Sequence, residues 1–161
     1  ILMMPQNPDR LLKDVAAMRV RLLDGRKSLG PWDIKNIRGG LVDIEFITQY
    51  LQLRYSRENP SILNSDPELA LIELRNHEIL NQHTANQLIK SLKLWRNMQG
   101  ITRLTVGDNF DDQTATKGSC AMLLAGCRAK SIEDLRKKVT NRAASVLKIY
   151  QRFIEEPASK L

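Results

Sequence analysis

The chain is 161 residues long with a formal charge of +7, enough for one domain that buries roughly two-thirds of its unfolded surface. Apolar residues make up 42% and aromatics only 5%, and this leucine-, isoleucine- and alanine-rich balance suits packed helices better than sheets. The charge favours an anionic partner (nucleic acid, nucleotide phosphate or an acidic protein face) or else a solvated basic surface, while no apolar run approaches the ~20 residues of a membrane helix.

Asn7-Pro8-Asp9 sets a capping residue and a proline ahead of a helical stripe at Leu11, Leu12, Val15, Met18 and Leu22 that ends near Gly25. A basic, glycine-containing loop with Arg26, Lys27, Gly30 and Pro31 follows. The second helix is expected from about Gly40. Its polar residues Glu45, Thr48, Gln49 and Gln52 share one narrow sector, and Phe46, Ile47, Tyr50, Leu51 and Leu53 cover most of the rest. A helix apolar over so much of its circumference belongs at the centre of a bundle. Asp43 falls inside the apolar sector.

Ser65-Asp66-Pro67-Glu68 reads as a helix start, and the short helix runs to about Asn76. A longer helix begins near His83 or Thr84, carries Ala85, Leu88, Leu92, Trp95 and Met98 at helical spacing, and reaches about Val106. Residues Gly107 to Asp112 read as a mobile acidic loop, followed by a helix near Thr116–Cys127. Ser131-Ile132-Glu133-Asp134 resembles a capping box and opens a last helix with the stripe Ile132, Leu135, Val139, Ala143, Val146, Ile149 and Phe153, ended by Pro157. The reading is an all-α bundle of about six helices: one domain over 1–161, with a first helix and basic loop in 1–30 and the bundle core in 31–156. Cys120 and Cys127 lie two turns apart, about 10.5 Å along one helix, too far for a disulfide. Reduced thiols and a cytoplasmic location are therefore expected. The chain opens Ile1-Leu2-Met3-Met4, which suggests a piece of a longer protein.

The chemistry concentrates in Asp33-Ile34-Lys35-Asn36-Ile37-Arg38-Gly39-Gly40-Leu41-Val42-Asp43-Ile44-Glu45-Phe46. Gly39 and Gly40 at a helix N-terminus, with Lys35 and Arg38 beside them, allow either an anion pocket or a sharp loop-to-helix turn. Asp43, in an apolar sector, needs a cationic partner, and a structural pairing with Lys35 or Arg38 is favoured over a functional role. Glu45 on the polar sector is either solvated or turned towards a neighbouring domain. His77-Glu78 with His83 lacks zinc spacing. Asp108, Asp111 and Asp112 lack the order of a calcium loop, and no nucleophile elbow is present. The basic residues of the last helix do not alternate with aromatics as single-strand binders do. No catalytic set and no metal ligand is read from these residues.

That motif, continued by Gln49-Tyr50-Leu51 and Leu53-Arg54-Tyr55 and preceded by Asp14-Val15 and Met18-Arg19, resembles the helical domain of the glutamine synthetase adenylyltransferase family. These are bifunctional adenylyltransferase and adenylyl-removing enzymes of bacterial nitrogen control. The resemblance spans essentially the whole chain. The family's de-adenylylating half reads Arg-Glu-Ile-Glu-Phe after its glycine pair, whereas its adenylylating half has aspartate, as in Val42-Asp43-Ile44-Glu45-Phe46. The chain therefore looks like the C-terminal, adenylylating half. The resemblance implies a nucleotidyltransferase domain upstream, carrying an Asp-x-Asp strand that this sequence lacks. It implies ATP and magnesium as cofactors of the parent enzyme, none of them bound by this fragment, and glutamine synthetase and the nitrogen-regulatory PII protein as partners. Lys35, Arg38, Gly39, Gly40 and Glu45 are implied to face the nucleotide or substrate, with Arg38 at a position that varies in the family. Asp43 is implied to be structural, and the fragment alone is expected to be inactive.

Two alternatives remain. One is the related bundle of PII uridylyltransferase, against which stand the Asp-Ile-Glu-Phe text and the lack of a metal-dependent phosphohydrolase segment. The other is a basic helical adaptor for nucleic acid or an acidic protein, which salt-dependent DNA binding would reveal; nucleic acid is not the expected partner.

Overall fold

The structure is a computed structural model and describes residues 7–25, 30–105, 107 and 110–161. Arg26, Lys27, Val106, Asp108 and the opening Ile1 to Met4 lie outside the described residues. Six long helices follow one another: α1 (Pro8–Asp24), α2 (Leu41–Tyr55), α3 (Pro67–Asn76), α4 (Gln82–Thr105), α5 (Lys117–Gly126) and α6 (Ile132–Tyr150). A π-helical turn, Gln151–Glu155, joins α6 to a last short turn, α7 (Glu156–Ala158). No strand occurs among the described residues.

The helix starts are set by the polar residues that the sequence singles out. Asn7 accepts from the amides of Asp9 and Arg10 at 2.9 and 3.2 Å, Asp66 from that of Glu68 at 3.0 Å, and Ser131 from that of Asp134 at 3.1 Å. Asn81 does the same for Thr84 at 2.8 Å, so α4 begins one residue before the expected start. Each satisfies an amide the first turn would leave unpaired.

α2 is the central helix, packed against α1, α3, α4 and α6. Ile44, Ile47 and Leu51 are buried on it, and Leu74, Leu88, Leu92, Trp95, Leu135 and Val146 close around them from α3, α4 and α6. Two residues of its polar sector, Thr48 and Gln52, are inside as well. Thr48 returns its hydroxyl to the Ile44 carbonyl at 2.8 Å. Gln52 donates to the carbonyls of Ile62 and Asn64 at 2.8 and 2.9 Å, pinning the α2–α3 connection.

Three expectations change. The α1 stripe is only partly core: Leu12 is buried, but Met18 and Leu22 are exposed, and the fully buried long side chain of α1 is Arg19. The described end of the loop before α5, from Phe110 on, is anchored, because Phe110 is buried edge-on against Trp32, with ring centroids 5.3 Å apart. Asp112 accepts from Trp32 Nε1 at 2.9 Å and from Arg136 at 2.6 Å. Finally, Pro157 does not end the helical backbone. The π turn, closed by the Glu156 amide on the Gln151 carbonyl, widens the helix just before the proline and lets helical geometry run to Ala158.

Candidate functional site

The glycine pair is a point of contact between the α2 start and α6. Gly39 has φ +79°, and a Cβ there would lie 1.9 Å from the Ala143 carbonyl oxygen. A Cβ on Gly40 would lie 2.5 Å from the Ile34 carbonyl oxygen. Only glycine permits both the left-handed turn and the close approach. The amides from Gly39 to Val42 are already engaged. Gly39 donates to Asp43 Oδ2 at 2.5 Å, Gly40 to Ile37, Leu41 to Ile34 and Val42 to Lys35, the last three at 2.9 to 3.1 Å. The α2 N-terminus thus takes its anion from its own Asp43, and both glycines are buried.

Asp43 is fully buried, and its cation is Arg19 of α1, not Lys35 or Arg38. Arg19 Nε lies 2.5 Å from Asp43 Oδ1, and Arg19 also donates to the Asn36 carbonyl at 3.1 Å. One carboxylate therefore fastens α1, the motif loop and the first turn of α2. Arg38 stacks over Tyr150 at 5.1 Å and pairs with Glu155 of the π turn. Burial, with the Asp43 charge second, pushes the Tyr150 hydroxyl well above its usual range.

Lys35 leaves the loop in another direction. It is exposed and acts electrostatically with Arg96 on Glu45. Glu45 is half-buried, and desolvation raises its pKa, with Lys35 and then Arg96 opposing the rise. One turn on from Glu45, Gln49 borders an open cleft of about 460 Å³ that Leu53, Leu63, Asn64 and Ser65 also line. The structure therefore brings Lys35, Glu45 and Gln49 onto one outward face and separates them from Arg38. The glycines and Asp43 lie beneath. Arg19 and Arg96 were missed in the sequence. Arg19 occupies the inward side of an amphipathic stripe, where a charged residue at a core position was the available signal. Among the described residues no group of three or more His, Cys, Asp or Glu side chains is arranged to hold a metal ion. No helix among them is long and apolar enough to cross a membrane.

Such an all-α bundle, organised on a buried Arg–Asp couple and a glycine turn, defines a helical domain. Residues 13–154 match the profile of the family described as GlnD PII-uridylyltransferase. The chain is 31% identical over 154 residues to a bifunctional glutamine synthetase adenylyltransferase/adenylyl-removing enzyme of Rhodopseudomonas palustris strain TIE-1, covering 96% of this chain and 16% of that protein. It is 29% identical over 156 residues to the protein of the same name from Bradyrhizobium diazoefficiens, again 96% and 16%. A Xanthobacter autotrophicus protein of that name is 26% identical over 154 residues, with the same shares. No solved structure matches. The chain belongs to the GlnD PII-uridylyltransferase family, and it spans about one sixth of the length of these curated relatives. The family description coincides with the uridylyltransferase alternative, whereas the relatives' names coincide with the adenylyltransferase reading.

Proposed function

We propose that this chain is the helical module of the adenylylating half of a glutamine synthetase adenylyltransferase, the enzyme that moves AMP from ATP to a tyrosine of glutamine synthetase. The observation that carries this is the similarity to enzymes of that name along 96% of the chain, including the motif that builds the α2 start. ATP and magnesium are then held by carboxylates elsewhere in the enzyme, and the chemistry is in-line attack on the α-phosphate with pyrophosphate leaving. The module contributes positioning and charge. Lys35 and Glu45, on the outward face with Gln49, meet the nucleotide or the incoming protein. Arg38, Gly39 and Gly40 hold that face in place from behind, and Asp43 anchors it. Glutamine synthetase and the PII protein are the partners, and the cytoplasm the location.

The test is a chimera in which this chain replaces the matched segment of the Rhodopseudomonas palustris relative. Radiolabelled AMP transfer to glutamine synthetase is expected to persist in the chimera and to be absent for the chain alone. Lys35→Ala is expected to lower transfer several-fold without changing the melting temperature. Transfer by the isolated chain, or a chimera that folds and is inert, would overturn the reading. UMP transfer to PII in place of AMP transfer would favour the uridylyltransferase alternative.

A further inference from the structure

A second open cleft, of about 470 Å³, lies between α4 and α6 at the end of α5. Lys138, Asn141, Arg142 and Ser145 line it as one stripe of α6, faced by Lys90 of α4, with the Cys127 thiol at its edge. No carboxylate lines it among the described residues. Elsewhere on α4 and α6 four cations are ion-paired: Lys93 with Glu68, Arg96 with Asp66, Arg136 with Asp112 and Lys137 with Glu133. Within the cleft, Lys138 is held by Asp134 at 3.3 Å and by the Arg128 carbonyl at 2.5 Å. Lys90 and Arg142 have no ion pair among the described residues, and Arg142 is partly buried. Two cations lining one cleft without a carboxylate partner leave positive charge that a bound anion would neutralise. The Ser145 hydroxyl is committed to the Asn141 carbonyl at 2.9 Å, which leaves the Asn141 side-chain amide as the neutral donor.

We propose that the α4–α6 cleft binds a small molecule bearing a di- or triphosphate, held between Lys90 and Arg142 with the Asn141 amide as a further donor. Two cations that line one cleft from different helices call for an anion of charge −2 or more, and the guanidinium fork matches phosphoryl oxygens. The cleft shares no residue with the Lys35–Glu45 face, so this inference goes beyond the proposed function and stands or falls separately from it.

The test is calorimetric titration of the full 161-residue chain with inorganic tripolyphosphate, with amide chemical shifts as a second readout. Saturable one-to-one binding with shifts at Asn141 and Ser145 is expected. The paired change Lys90→Gln with Arg142→Gln should weaken it about tenfold or more. The control pair Lys137→Gln with Lys148→Gln, of equal charge loss off the cleft, should leave it nearly unchanged. Absence of binding, equal weakening by both pairs, equally tight binding of citrate, or tighter binding of duplex DNA would each overturn the proposal.

Discussion

Arg19 and Asp43 meet inside the bundle, Nε to Oδ1 at 2.5 Å, with both side chains essentially sealed from water. They come from different helices, and the second Asp43 oxygen is taken by the Gly39 amide. Because Arg19 also reaches the Asn36 carbonyl, the pair fixes α1, the motif loop and α2 in one register. A buried pair of this kind is weak evidence of net stabilisation, since desolvation offsets much of its attraction. Its clearer consequence is that neither partner can be removed alone.

Asp43→Ala is therefore expected to destabilise the fold by about 3–5 kcal/mol, leaving the Arg19 charge buried and the Gly39 amide unpaired. For a chain of this length that lowers the melting temperature by roughly 10 °C. Arg19→Met should cost a comparable amount, and the two together less than their sum. Thermal unfolding of the four proteins measures the coupling, and strict additivity would show that the pair does not act as a unit.

Gly39→Ala should be nearly as damaging by a different route. The new methyl would meet the Ala143 carbonyl oxygen at 1.9 Å in a backbone with φ +79°. Strain and overpacking each contribute about 1–3 kcal/mol. Unfolding in denaturant is the measurement. Gly30→Ala, at φ +94° with nothing within 4 Å, isolates the conformational part and should be milder.

The helices, their caps and the central place of α2 were legible in the sequence, because apolar period and capping residues act locally. Asp66, Thr116 and Ser131 each start a helix as read. What was not legible depends on which helix meets which. The partner of Asp43 lies 24 residues away, and nothing in the spacing of α1 distinguishes Arg19 from a solvated arginine except its inward phase. The separation of Lys35 from Arg38 follows from loop geometry that the two intervening residues, Asn36 and Ile37, do not specify. The anchoring of Asp112 on Trp32 joins positions 80 residues apart, so the acidic run there read only as a loop.

The Asp112 anchor is expected to be acid-sensitive. The Trp32 hydrogen bond, with the Arg136 charge, holds its carboxyl below the usual aspartate range. A carboxyl whose folded pKa is depressed stabilises the fold above its unfolded value and loses that contribution as pH falls through the folded value. Lowering the pH from the ordinary aspartate pKa, near ~4, should therefore loosen the Trp32–Phe110 contact. Tryptophan fluorescence is expected to change over that range in the native chain, and Asp112→Asn should remove the transition while leaving α6 folded by circular dichroism.

Glu45 should show the opposite sign. Desolvation raises its pKa above the ordinary glutamate value, with Lys35 and Arg96 opposing it only in part. Between its unfolded and folded values the native state then holds more proton than the unfolded chain, so stability falls as pH rises through that window. Above it, the ionised carboxylate is held at a cost that the fold does not need. Glu45→Gln keeps the shape and removes the charge, and it is expected to raise the melting temperature at pH 7. The gain should vanish below about pH 4, where glutamate is protonated in both states. The outward placement proposed for Glu45 gives the same substitution a second readout. If the chimeric enzyme uses this face, Glu45→Gln will therefore gain stability and lose AMP transfer together, whereas a purely structural Glu45 would change the first and spare the second.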